Sequence, residues 1–242
     1  MSNKIKSAID HESIEIAFQG IFEATTGKIK HVEALMRFEY HGEVVNPEKI
    51  LQLAKDKGLS LRLDRYLISQ ALKQFKRLKN DSKYQDAILN INLAPQSLID
   101  DGFSEFMIAQ IKRYDYSVNE VCLEITENSF VDYNERIFNQ MSVLKSSGFM
   151  IALDDFGKEY SSLSVLSEFN FDIVKIDKTF VQLLDNEVNT AIITMIEKIA
   201  KLRDSTIIAE GVETKAQSDA LLKLSCTYQQ GYYFMRPEIM KS

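Results

Sequence analysis

At seven places the chain puts a carboxylate, an amide or an ammonium in or at the end of an apolar, β-patterned run: Glu33, Asn92, Glu124, Asp154 with Asp155, Lys175, Glu210 and Gln230. One acid at such a position is ordinarily a helix cap or a solvated loop residue. Their recurrence along one chain is harder to explain that way. Asp154-Asp155 is the sharpest case, because adjacent carboxylates repel each other unless a cation or proton sits between them. Several carboxylates and one amide carbonyl make an oxygen-rich set, which suits a hard cation such as Mg2+ or Mn2+ better than zinc. Two such ions about 3.5–4 Å apart would clamp the attacking and leaving oxygens of an in-line phosphoryl displacement. Lys175 would then orient the nucleophilic water or neutralise charge on the equatorial oxygens. A solvated lysine at a strand end fits the pattern equally well. His11, His31 and His41 form no ligand pair. His31 can share an inward face with Glu33 at strand period and reads as a core or supporting histidine.

For these residues to meet, the elements carrying them must converge. Alternating or β-branched runs predict strands at 14–22, 30–38, 87–93, 120–125, 150–153, 172–176, 206–209 and 230–234. Amphipathic stretches predict helices at 47–57, 61–78, 104–113, 133–146, 188–203 and 215–224. Strands alternating with helices argue for a mostly parallel sheet, either an eight-stranded barrel or a doubly wound open sheet. The first two strands are joined only by residues 23–28, too short for a helical crossover, so that pair should be antiparallel. In a parallel barrel the C-terminal strand ends share one face, and polar residues scattered along the sequence would gather at its mouth.

Composition narrows the functions open to this chain. Its 242 residues, 45% hydrophobic and 26% charged, suit one globular domain over 1–242. The net charge of −6 argues against a partner of long nucleic acid, which needs a basic face, but not against a small anion held through metal ions. Cys122 and Cys226 lack C-x-x-C spacing and read as buried free thiols. No leader-like or membrane-length apolar stretch is present, so no membrane association is expected and the location is read as cytoplasmic.

The motifs at the predicted strand ends are VEALMRF around Glu33, NINLAPQSL around Asn92, LEITEN around Glu124, DDFGKEYSSLSVL from Asp154, VKIDKTFV around Lys175, AEGVET from Ala209 and QGYYFMRP from Gln230. In order and spacing this set resembles the EAL domain family, from about residue 14 to 237. The resemblance implies a TIM-like (β/α)8 barrel with an antiparallel first strand pair. It also implies cyclic di-GMP as ligand, two Mg2+ or Mn2+ ions as cofactor, and hydrolysis to linear 5′-pGpG. Carried over by matching position, Glu33, Asn92, Glu124 and Asp154 would hold one ion, and Asp154, Asp155 and Glu210 the second. Lys175 would contact the nucleophilic water, and Glu127 would anchor the loop after Asp155. Gln19, Leu35, Arg37, Gln230 and Pro237 would address the dinucleotide. A homodimer is a further implication of the family.

Three departures stand out. The family's Y-Q-P-I is Phe18-Gln19-Gly20-Ile21, Ala94 replaces a serine, and D-F-G-T-G-Y-S-S reads Asp155-Phe156-Gly157-Lys158-Glu159-Tyr160-Ser161-Ser162. Losing a glycine at Glu159 removes easy access to positive φ, which is expected to slow turnover more than binding. The competing expectation is a silent domain that senses cyclic di-GMP or docks a partner protein. Degenerate members of the family lack several metal-ligand acids, whereas every matched acid is present here.

Overall fold

Glu23 and Lys28 face each other across a tight turn, with Gly27 N donating to Glu23 O at 2.8 Å. That turn closes the antiparallel pair β1 (Glu15–Glu23) and β2 (Lys28–Tyr40), as the short connection required. The structure is a computed structural model that describes residues 14–40, 43–158 and 163–239. His11, His41 and Glu159 lie outside the described residues.

After β3 (Glu43–Val45), helices α1 (Pro47–Asp56) and α2 (Ser60–Leu78) lead to β4 (Ile88–Asn92). Asn46 caps α1, its side chain accepting from Glu48 N, with Pro47 in the first helical turn where its missing N–H is harmless. Then come α3 (Pro95–Leu98), α4 (Phe103–Arg113), β5 (Val121–Thr126), α5 (Phe130–Ser146), β6 (Met150–Phe156), α6 (Leu163–Glu168) and β7 (Ile173–Ile176). The chain continues through α7 (Lys178–Gln182), α8 (Glu187–Leu202), β8 (Thr206–Ala209), α9 (Lys215–Lys223), β9 (Tyr228–Gln229) and β10 (Glu238–Ile239). Pairing runs β1-β2-β4-β5-β6-β7-β8-β9 and returns to β1, so eight strands close a barrel, with β3 and β10 added outside the ring. From β2 through β9 the ring pairs are parallel, and β1 runs against both of its neighbours.

Alternation along the strands sorts residues to two sides of this wall. Outward residues such as Leu89, Ile91, Leu123, Leu153, Val174 and Ile207 share one core with Leu72 and Phe75 of α2, Met141 of α5, and Ile193 and Ile196 of α8. Inward, Ile21, Cys122, Ala152, Ile173 and Ile208 form a small apolar plug. Each plug residue lies two positions from Gln19, Glu124, Asp154, Lys175 or Glu210, so the same inward face carries a polar ring above an apolar floor.

One predicted strand needs correction. Residues 230–234 were expected to be extended, but β9 ends at Gln229 and a turn follows. Gly231 sits there against the backbone of Val212: a Cβ at Gly231 would come within 2.0 Å of Val212 O. The apolar run 232–235 looks like a strand in sequence, yet the backbone turns at Gly231, and Gln230, Gly231 and Tyr232 line the barrel mouth. Strands β3 and β10 and the short helices α3, α6 and α7 were not expected, being too brief to carry a readable period.

Asp64 of α2 braces this mouth from outside, accepting from Ala94 N at 2.8 Å and Ser97 Oγ at 2.7 Å. Burial pushes its carboxyl up from 3.8 to about 6, with those two hydrogen bonds offsetting only part of the shift. The folded state therefore holds a proton that the unfolded chain releases, and stability attributable to this group falls as pH rises from about 4 to about 6. Asp64→Asn removes the titration. Its stability relative to the parent should improve by roughly 2–3 kcal/mol between pH 4 and pH 7 in urea unfolding. A pH-independent difference would mean the carboxyl is not perturbed.

Candidate functional site

Lys175 is inward-facing on β7, completely buried, and meets four carboxylates from four different segments. Its Nζ lies 2.8 Å from Glu210, 2.9 Å from Asp154, 3.0 Å from Glu124 and 3.3 Å from Glu33. The alternative of a solvated strand-end lysine is therefore wrong. Burial alone would lower its pKa, but Asp154, Glu124, Glu210 and Glu33 overrule that and hold the ammonium charged, well above the usual lysine range.

The acids divide according to their other partners. Burial pushes Glu33 up, yet Lys175 and hydrogen bonds from Gln230 Nε2 (2.7 Å) and Asn92 Nδ2 (2.8 Å) outweigh it, and the carboxyl sits below its usual value. Glu124 is driven well above the usual range by burial that the lysine offsets only in part, and Asp154 is raised for the same reason. Burial likewise lifts Glu210 to about 8. Four acids around one ammonium leave the cluster short of positive charge, so it has room for further cations.

Two observations show that an oxygen-bound cation fits here. Asp154, Asp155 and Glu210 each offer an oxygen within 4.8 Å of the others. Glu124 Oε2 is buried with no hydrogen-bond partner, a position that a cation would satisfy. The ring opens into a cavity of about 320 Å³ whose lining includes Gln19, Glu33, Leu35, Asp155, Gln230 and Tyr232. Gln19 donates to Met235 O at 2.9 Å and accepts from Gln230 at 3.1 Å, which ties β1 to the turn after β9.

The remaining predicted residues stand further off. Arg37 turns its guanidinium to the carbonyl of Met36 at 2.9 Å, and Pro237 follows the 231–234 turn; neither lines that cavity. Glu127 begins a single 3-10 turn directly after β5. In the loop after the Asp pair, the strain expected at Glu159 falls outside the described residues, but Asp155 itself is left-handed, at φ 55°. Gly157 is also positive, at φ 92°, and a Cβ there would come within 2.2 Å of the Phe180 ring. Aspartate is one of the few non-glycine residues that enters this region readily. Lys158 Nζ then reaches back to Asp155 at 3.1 Å.

Sequence reasoning missed Asn90. It donates to Glu124 Oε1 at 2.8 Å from one layer below, and its own Oδ1 meets His31 Nδ1 at 2.9 Å. Its position two residues before Asn92 was the available signal.

Comparison with known proteins bears on this geometry. The family profile described as EAL domain matches residues 2–237. The chain is 31% identical over 236 residues to a probable cyclic di-GMP phosphodiesterase, PdeG, of Escherichia coli, covering 96% of this chain and 46% of that protein. It is 30% identical over 236 residues to the cyclic di-GMP phosphodiesterase PdeA of Borreliella burgdorferi, covering 97% and 35%. Thus the chain spans less than half the length of these curated relatives. Among solved structures it superposes on PaMucR phosphodiesterase in complex with c-di-GMP with a TM-score of 0.88 at 27% identity, covering 97% of this chain and 96% of the other.

Proposed function

Because the chain belongs to the EAL domain family, we propose that it is a cyclic di-GMP phosphodiesterase that opens one of the two phosphodiester bonds to give linear 5′-pGpG. The observation that carries this reading is the buried Lys175 ammonium in contact with four carboxylates beneath an open cavity. The relatives named as cyclic di-GMP phosphodiesterases support it. Glu33, Asn92, Glu124 and Asp154 would hold one Mg2+ or Mn2+, and Asp154, Asp155 and Glu210 a second. Bound there, the ions would supply Lewis acidity and an activated water.

The chain's own groups do the rest. Lys175 stays protonated and places positive charge where the phosphoryl oxygens gain negative charge. Water adds to phosphorus, the P–O3′ bond breaks, and the 3′-hydroxyl leaves with a proton. Gln19, Leu35 and Gln230 line the cavity and would orient the dinucleotide; Arg37 and Pro237, which do not line it, would address the dinucleotide from further off. Glu127 would steady the loop after Asp155.

A single domain over 1–242 and a cytoplasmic location belong to the same reading; no described helix is long and apolar enough to cross a membrane. So does a homodimer, which exposed Val188, Met195 and Leu202 on α8 would suit.

The test is incubation of purified, chelator-treated protein with cyclic di-GMP, followed by chromatography. Added Mg2+ or Mn2+ should yield 5′-pGpG, and Ca2+, larger and looser in geometry, should support binding with little turnover. Full activity after exhaustive chelation would remove the metal mechanism. Tight binding without product in any metal would mark a sensor.

A further inference from the structure

The apolar floor of the barrel is broken at His31 and Asn90, both buried. Each lies two residues before a member of the polar ring, His31 before Glu33 and Asn90 before Asn92, so both face inward. They form a directed chain that rises to one carboxylate. Glu124 Oε1 accepts from Asn90 Nδ2 at 2.8 Å and lies 3.0 Å from Lys175 Nζ. Glu124 Oε1 also faces the Lys175 ammonium and so acts as an acceptor, which has the amide of Asn90 present its nitrogen to Glu124 and its oxygen to His31. That oxygen in turn requires His31 Nδ1 to carry a hydrogen, which fixes the ring tautomer at the 2.9 Å contact. A single orientation satisfies both contacts.

We propose that Asn90, locked by His31, is a positioning residue that holds Glu124 Oε1 from below so that Oε2 is presented to a cation. Glu124 Oε2 is buried and has no hydrogen-bond partner in the structure, which is the atom such an arrangement would leave free for a metal. Without Asn90 the carboxylate would keep only Lys175 and could rotate about its last torsion, a broad one, and turn both oxygens to the ammonium. Partners one layer behind metal ligands typically govern affinity by ten- to a hundredfold. The inference rests on the reading of this site as a metal-dependent phosphodiesterase.

The experiment measures Mn2+ binding by calorimetry without substrate, turnover of cyclic di-GMP, and thermal melting without metal. The parent must first bind Mn2+ and hydrolyse the dinucleotide; failure there would overturn the proposed function before any variant is made. Asn90→Leu, of similar volume, should weaken Mn2+ binding about tenfold or more. His31→Leu should weaken it in the same direction by less, and His31→Gln, whose amide can still donate to Asn90, should stay within about twofold of the parent. If Asn90→Leu does not fold, the contrast between His31→Leu and His31→Gln decides. Lowered melting with unchanged Mn2+ affinity across the variants would make the chain a purely structural filler and overturn the proposal.

Discussion

Asp154→Asn is expected to lower turnover by about three orders of magnitude, roughly 4 kcal/mol of transition-state stabilisation, and to leave the fold intact. Asp154 is the acid that joins the two halves of the site: it pairs with Lys175 at 2.9 Å and is grouped with Asp155 and Glu210 at cation-binding distance. The amide keeps the shape but removes the charge, and its NH2 face repels a cation. Stability should run the other way. Burial, with Glu33 and Asp155 adding repulsion, raises the Asp154 carboxyl, so the native state holds this charge at a cost. Removing it should leave the metal-free melting temperature unchanged or higher, as is common where function keeps an unfavourable arrangement. The decisive measurements are kcat with saturating Mn2+ and metal-free melting. Activity within tenfold of the parent would show that Asp154 does not hold a catalytic ion.

The positions of Asn92, Glu124, Asp154, Lys175 and Glu210 were legible because one rule governs them: in a parallel barrel, residues at the C-terminal strand ends meet at one mouth. Glu33, inside its strand, and Gln230, at the start of the run 230–234, fall outside that rule. The antiparallel start was legible for an equally local reason, since the six residues 23–28 cannot make a crossover. What could not be read depends on registers between distant strands. That Lys175 touches four acids at once follows from the way β2, β5, β6 and β8 surround β7, which no local pattern encodes. The turn after Gln230 was hidden because apolar residues 232–235 obey strand composition, while the bend is imposed by Gly231 against Val212. His31 reads as inward-facing from sequence; strand period from Asn92 puts Asn90 on the same face, but its role depends on the contacts to His31 and Glu124, which are made across strands.

Lys175→Met should have the largest combined effect. In the parent, the ammonium is, among the described residues, the one positive group held among Glu33, Glu124, Asp154 and Glu210, and all five side chains are largely shielded from solvent. Methionine fills similar space but leaves the acids facing one another. Breaking a buried ion pair by removing one partner costs about 3–5 kcal/mol, because the charge left behind is uncompensated. The acids can escape part of that cost only by taking up protons. With the lysine present, Glu210 already sits near 8 and Glu124 higher than usual; without it, their folded pKa values rise further. Carboxyls whose folded pKa exceeds the unfolded value favour the native state below about pH 4.5, and that advantage is lost as pH rises. The stability gap between parent and variant, measured by urea unfolding without metal, should therefore be small at pH 5 and widen toward pH 8. Mn2+ should narrow the gap again, since its charge replaces part of what the ammonium supplied. Turnover should not recover with it: metal can restore charge balance but not the N–H donors that, under the proposed function, Lys175 would offer to the phosphoryl oxygens and water, and a loss of about a thousandfold should persist at saturating Mn2+. A variant as stable as the parent at pH 8, or one hydrolysing cyclic di-GMP within tenfold of the parent, would mean that the central ammonium neither balances these acids nor takes part in the reaction.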